Sequence, residues 1–336
     1  MKHITIADIA REAGVSKATV SRVISKSNLV SEKTTSRVSS VIEKHSYIPN
    51  VLAQGLAGKP TRNIGVIVDE FPNNFYIDLA DGIDKVVSAN NYTFQVMSSQ
   101  WEPARELEGV CSMLKSRVDG LLITPLSSNS PAVMELEKSG IPFVLVNSKS
   151  EDPDVSYVCC DNYRGGALLA EHINSLEHEQ VIIVSVFDHE TVRDRIRGFE
   201  DHLCSGAVPI IRYSNAKTYR DGYELAPTVA EYDSIMKKKT SLFVTNDYVA
   251  IGFIARFLEM GISIPRQVTV AGFDDIRLSA LCRVPLTTVS QSVCEMGRTA
   301  AEYLLRLIKK NSRSPLRKLI EPYLVIREST TKKTSE

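Results

Sequence analysis

Downstream of residue 62 the chain repeats one pattern. Short runs that are apolar at nearly every position alternate with longer stretches in which apolar side chains return every third or fourth residue. The runs are NIGVIV (63–68), TFQVMS (93–98), VDGLLIT (118–124), PFVLVN (142–147), SYVCC (156–160), QVIIVSVF (180–187), VPIIRYS (208–214), SLFVT (241–245) and VTVAGF (268–273). A strand with one wet face alternates apolar with polar residues, whereas a run that is apolar throughout is covered on both faces, as in a parallel sheet. The intervening stretches, such as Tyr76–Ala89, Pro103–Lys115 and Tyr163–Ser175, have the helical period that would supply the cover. Nine strands exceed one modest sheet, so the pattern predicts two α/β lobes. After them, TTVSQSVCEMGRTAAEYLLRLIKK and RKLIEPYLVIREST predict one long amphipathic helix and a closing strand.

The first sixty residues read differently, as three short helices around a small core. Thr5 and Asp8 have the spacing of a helix start, and Ile6, Ile9, Ala10 and Ala13 recur on one face until Gly14 stops the run. Ser16 can cap a second helix to about Ser25, and Ser31 a third that ends near Ser46. At 100° per residue, the second helix gathers Val20, Val23 and Ile24 on one side and Lys17, Ala18, Ser21, Arg22 and Ser25 on the other. That second face suits a DNA major groove. Arg22 can donate both guanidinium arms to guanine, Ala18 offers a methyl contact to thymine, and Ser16, Lys17, Thr19 and Ser21 can reach phosphates or base edges. A solvated amphipathic helix in an unrelated bundle has the same spacing. The next segment, YIPNVLAQGLAGKPTRN, carries a helical patch interrupted by Gly55, so alone it should be mostly unfolded.

Charge favours the first reading. The formal net charge is zero, yet residues 1–60 hold nine basic side chains against four acidic ones, leaving the remainder correspondingly acidic. A cationic head on a mildly acidic body suits contact with phosphates at one end only. The 336 residues, 43% hydrophobic and 24% charged, supply ordinary cores and exclude a disordered chain. No apolar run reaches membrane-spanning length, and MKHITIADIAREAG lacks the apolar core of a secretory signal, so a cytoplasmic protein is expected. The six cysteines show no CxxC spacing and are expected to be reduced, with no metal site. No dinucleotide fingerprint, nucleophile elbow, zinc-protease motif or P-loop is present, and GLAGKPT at Gly55–Thr61 has the wrong spacing for the last of these. An enzyme is therefore not expected, nor is a cofactor.

ITIADIAREAGVSKATVSR, Val30-Ser31 and YIPN at Tyr47–Asn50 resemble the head of the LacI/GalR family of bacterial transcription regulators, whose pattern T-x-x-D-[IV]-A-x-x-A-G-V-S-x-x-T-V-S-R is complete from Thr5 to Arg22. The resemblance extends over the body, through VDGLLIT, DNYRGG, RIRGF, TNDYVAIG, VTVAGFDD, PLTTVSQ and YLVIREST in order. It implies a helix-turn-helix head (1–48), a hinge helix and linker (49–61) and a periplasmic-binding-protein-like body (62–330) of two Rossmann-like lobes joined by three crossovers, then a tail (331–336). Lobe 1 is expected over about 62–160 and 292–318, and lobe 2 over about 161–291 and 319–330.

The resemblance also implies roles. DNA contacts fall to Thr5, Ser16, Lys17, Ala18, Thr19, Ser21, Arg22, Asn28, Tyr47 and Asn50, with hinge Leu56 wedged into the minor groove and small Ala53 letting two hinges pack. Effector contacts fall to Phe75, Asn147, Thr191, Arg195, Tyr219, Asn246, Asp274 and Gln291, with Phe75 and Tyr219 as aromatic faces for a sugar ring. The chain departs from the family where Asn73-Asn74-Phe75-Tyr76 replaces Asn-Pro-Phe-Phe and where Asn147 replaces a frequent Asp. The expected protein is a homodimeric repressor on a pseudo-palindromic operator, controlled by a sugar-type effector. The dimer would use the helix after Phe75 and the segment near Val284–Leu286. A protein co-regulator or a purine-type corepressor is the competing controller.

Overall fold

The computed structural model describes residues 4–24, 29–47, 60–71, 73–176, 178–185, 188–204, 210–213, 216–232, 235, 237–310 and 314–331. The chain divides into two units, 1–61 and 62–336.

In the first unit, α1 (Ile6–Glu12), α2 (Lys17–Ile24) and α3 (Glu32–Lys44) enclose Ile9, Ala10, Ala13, Val20, Val23 and Val38. The predicted starts are present. The Asp8 carboxylate accepts from the Thr5 backbone N–H at 3.0 Å and from its hydroxyl at 2.7 Å, which holds the carboxyl below its usual range. Ser16 accepts from Thr19 N–H at 3.1 Å and Ser31 from Thr34 N–H at 3.4 Å. Gly14 turns the chain between α1 and α2 at φ +65, a region costly for a residue with a Cβ. Glu12 ties α1 to the end of α3 by accepting from Lys44 at 2.7 Å and meeting His45 at 2.6 Å.

In the second unit, β1 (Asn63–Val68), β2 (Thr93–Ser98), β3 (Gly120–Ile123), β4 (Phe143–Val146), β5 (Tyr157–Cys160) and β11 (Arg317–Ile320) form one parallel sheet, in the order β11-β5-β4-β3-β1-β2. A second sheet has the order β12-β10-β9-β8-β6-β7, built from β6 (Gln180–Val184), β7 (Ile210–Tyr213), β8 (Thr240–Val244), β9 (Val268–Asp274), β10 (Thr287–Ser290) and β12 (Tyr323–Val325). Only β12 runs antiparallel to its neighbour among these described strands. The helices are α4 (Asn74–Ala89), α5 (Pro103–Lys115), α6 (Pro131–Ser139), α7 (Asn162–Asn174), α8 (Glu190–His202), α9 (Tyr219–Tyr232), α10 (Asp247–Glu259), α11 (Arg277–Leu281) and α12 (Val293–Ile308). Each sheet is covered on both faces, as wholly apolar strands require, with separate cores on the two sides.

The chain passes between the sheets three times: after Cys160, after Ser290 and after Ile320. The last passage corrects the expected lobe limit at residues 318/319. Leu319 and Ile320 pair with Cys159 and Cys160 in the first sheet, so the second sheet takes up the chain only from Tyr323. The physical reason is register: β11 extends the parallel edge beside β5 for four residues before Glu321-Pro322 ends the pairing. The hinge, including Ala53 and Leu56, lies outside the described residues, as do Asn28, Asn50 and the tail beyond Thr331.

Candidate functional site

The first unit offers one surface with chemistry. Val20 and Val23 are buried, which turns Lys17, Ala18 and Arg22 outward, with Thr19 and Ser21 half-buried at the margins. Thr5 and Ser16 are exposed, but their hydroxyls already meet Asp8 and Thr19. Tyr47 is half-buried and packs against the small core.

The second unit holds a polar cleft between its two sheets, where the C-terminal ends of their strands face each other. In open α/β sheets this is where ligands sit. Of the expected residues, Phe75, Asn147, Thr191, Arg195, Asn246 and Asp274 line it. Arg195 owes its position to two glycines. Helices α7 and α8 cross so closely that a Cβ on Gly166 would stand 2.0 Å from the Arg195 carbonyl oxygen, and one on Gly198 would stand 2.0 Å from that of Tyr163. From that crossing the Arg195 side chain, 4% exposed, runs across the Phe273 ring at 4.1 Å. Its Nε donates to Asn162 at 2.8 Å, and its Nη1 donates to the Thr245 carbonyl at 2.7 Å and to Asp274 at 3.3 Å.

Asp274 ends β9 with φ +128, a left-handed conformation that favours glycine. Three side chains hold it there. Arg195 and Gln291 Nε2 donate to one oxygen, the latter at 2.6 Å, and Asn246 Nδ2 donates to the other at 3.1 Å. Behind it, buried Asp247 accepts from Thr288, Ser279 and the Ile276 N–H. Burial pushes the Asp274 carboxyl up, opposed by the Arg195 charge and reinforced by Asp247. Asn246 also caps α10, accepting from Val249 N–H at 3.0 Å.

On the same wall, His189 precedes α8. Its Nδ1 accepts from Thr191 N–H at 3.3 Å, which places the proton on Nε2, facing the Pro125 carbonyl of the other lobe at 3.3 Å. Burial lowers its pKa, which disfavours the cationic ring.

The opposite wall comes from the ends of β1, β3 and β4. Asp69, 6% exposed, accepts the Tyr76 hydroxyl on Oδ2, while its buried Oδ1 has no hydrogen-bond partner. Burial, with Glu106 and Glu70 nearby, pushes its pKa up to about 7 against the Tyr76 bond. Asn147 follows β4 at φ +56 and also presents a buried, unpartnered Oδ1. Phe75 is packed edge-on to Tyr76 with ring centroids 5.2 Å apart.

Two expected residues stand elsewhere. Gln291 is fully buried behind the cleft and orients Asp274 rather than lining the space. Tyr219 does not line the cleft. It opens α9, where its ring lies against Tyr223 and Tyr248, and Lys217, two residues earlier, takes the place at the rim. Sequence reasoning missed Asp69, Glu70, Thr124, His189 and Lys217 as lining residues, and gave Tyr76 and Trp101 no such role. For Asp69 and Glu70 a signal existed: they directly follow an apolar run read as a parallel strand, the position that faces a cleft.

Among the described residues no helix is long and apolar enough to cross a membrane, and no cluster of His, Cys, Asp and Glu fits a metal ion.

Comparison with known proteins matches residues 5–50 to "Bacterial regulatory proteins, lacI family" and residues 170–330 to "Periplasmic binding protein-like domain". The chain is 31% identical to catabolite control protein A of Priestia megaterium, over 92% of this chain and 94% of that protein. It is 30% identical to the HTH-type transcriptional repressor PurR of Aliivibrio fischeri strain MJ11, over 97% and 98% of the two chains. Among solved structures, the lac repressor dimer bound to operator and the anti-inducer ONPF superposes with a TM-score of 0.84 at 25% identity, covering 98% of this chain and 99% of that one.

Proposed function

This chain belongs to the lacI family of bacterial regulatory proteins, ligand-responsive transcriptional repressors that hold operator DNA as dimers, and from that premise we propose that it represses genes of carbohydrate uptake or catabolism and that a sugar-type effector in the cleft releases it. It works in the cytoplasm, by binding and not by catalysis. The α2 face of Lys17, Ala18, Ser21 and Arg22 reads the operator. Arg195, Asp274, Asn246 and Thr191 on one wall, and Asp69, Asn147 and Phe75 on the other, hold the effector. Ligand closes the two lobes, and closure lowers the affinity of the paired heads for DNA.

The observation that carries this reading is the convergence of hydrogen-bonding side chains from both sheets on one cleft at the strand ends. Exposed Phe71 before α4 and Ile77 on it, with Leu278 and Leu281 on α11, supply apolar surface for a dimer; Leu286, expected there, is wholly buried.

The similarity to PurR favours a purine as a second reading. Tyr219 is turned away from the cleft, but Trp101 and Phe75 line it and offer aromatic faces to a flat base as they do to a sugar ring, so the two readings are separated by experiment. The test is fluorescence anisotropy of a labelled fragment of the gene's own upstream DNA, titrated with the chain in the presence of sugars, polyols and purines. Release by a sugar or polyol, abolished in Arg195→Ala, is the expected result. Release by purines alone, or indifference to every compound, would overturn it.

A further inference from the structure

We infer that the cleft takes an uncharged, hydroxyl-rich ligand, an unmodified sugar or polyol, and rejects the phosphorylated or carboxylated form of the same molecule, with Asp69 accepting a ligand hydroxyl. This rests on the reading of the cleft as the effector site and narrows the chemistry of what enters it.

The polar atoms of the cleft ask for donors. Asp69 Oδ1 and Asn147 Oδ1 are buried acceptors without a hydrogen-bond partner among the described residues, although the Thr124 hydroxyl stands close enough to the Asp69 carboxyl to lower its pKa. A buried acceptor left without a donor is costly, the more so when charged, so a ligand that donates to both recovers that cost. A sugar hydroxyl donates as well as accepts; a phosphorylated or carboxylated sugar keeps its other hydroxyls but brings an anionic group that offers almost only acceptors into a cleft that already holds carboxylates.

Charge points the same way. Asp69, Glu70 and Asp274 line the cleft, and Glu106 lies close enough to Asp69 to raise its pKa. Among the described residues that line the cleft, two cations face them. Arg195 is already engaged with Asn162, Thr245 and Asp274, and Lys217 stands exposed at the rim. Burial lowers the His189 pKa, which disfavours its cationic form.

Three helix N-termini, those of α4, α8 and α10, also open on the cleft and would ordinarily favour an anion. Each is satisfied by its own chain. Asn73 accepts from Phe75 N–H, His189 from Thr191 N–H and Asn246 from Val249 N–H, with Glu190 and Asp247 adding carboxylates to the first turns of α8 and α10. The Asp69 carboxyl, pushed up to about 7 by burial, is returned toward its ionised form when a hydroxyl donates to it.

The experiment measures binding to the full chain by calorimetry and thermal shift, using matched pairs: glucose and glucose 6-phosphate, ribose and ribose 5-phosphate, galactose and galacturonate, mannitol and mannitol 1-phosphate. The expected binder is an uncharged member, favoured at least tenfold over its charged twin. Asp69→Asn, which turns an amide N–H₂ toward the ligand once Tyr76 occupies the remaining oxygen, is expected to weaken that binder at least tenfold. A charged twin that binds as tightly as its parent, or tighter, overturns the inference and leaves the effector reading standing, provided that Arg195→Ala abolishes its binding. Unchanged affinity in Asp69→Asn removes Asp69 from ligand contact and overturns the inference in that form. If no pair binds in either column while a purine releases the operator, the effector reading falls and this inference falls with it.

Discussion

Arg22 is exposed on the side of α2 opposite buried Val20 and Val23, so the outward face proposed to read DNA follows from which valines the small core needs. Arg22→Ala should relax specificity at one base pair per half-site, at a cost of about 1–3 kcal/mol, read in a selection from randomised operators. An unchanged base preference would remove Arg22 from base contact. Single residues were unevenly legible in the sequence. Arg195 and Asp274 carry strong local motifs, and both end in the cleft. Asp69 and His189 do not, because a carboxylate after a strand or a histidine before a helix looks like ordinary loop chemistry until the fold encloses it. Tyr219 shows the opposite failure: the residue type was right for a sugar face, but the first turn of α9 aims it at Tyr223 and Tyr248.

At the scale of elements, reciprocal glycines set the site. Gly166 and Gly198 bring α7 and α8 together, and Gly222 and Gly252 do the same for α9 and α10, where an added Cβ would meet backbone oxygens at 2.3 and 2.1 Å. Backbone cannot yield as a flexible side chain does. Gly166→Ala should therefore push α8 outward, cost about 1–3 kcal/mol in chemical denaturation, and weaken effector binding through Arg195. Stability and effector affinity both equal to the parent's would contradict this origin for the position of Arg195.

Apolar strands were legible because parallel burial leaves a continuous signal. Strand β10, Thr287-Thr-Val-Ser290, was not, since its buried hydroxyls erase the apolar pattern. They are satisfied instead by partners far along the chain: Thr287 by the Arg327 carbonyl at 3.0 Å and by Thr330 at 2.8 Å, and Thr288 by Asp247 at 2.6 Å. Such distant pairing leaves no trace in a window of sequence.

At the scale of the whole molecule, the body is two lobes on three crossings, in contact through Ile276, Tyr248 and Ile251 packed on the first lobe's core and through a few polar pairs. Lys149, after β4, pairs with Asp194 of α8 at 2.6 Å, and its N–H and the Ser148 hydroxyl donate to Glu190 at 2.8 and 2.6 Å. Arg277 of α11 meets Asp78 of α4 at 2.7 Å. Partly exposed pairs such as these are worth about 0–1 kcal/mol each. They bias closure weakly, which leaves room for a ligand to decide it.

Where one chain couples an effector cleft to an operator-reading head, the coupling between the two binding sites is reciprocal. The most direct measurement is the affinity of the chain for the uncharged sugar that binds in the paired panel, determined with and without saturating operator fragment, beside its operator affinity with and without that sugar. The account predicts that both affinities fall by the same factor, at least about tenfold. A sugar affinity indifferent to operator, with the cleft shown to be occupied, would contradict it.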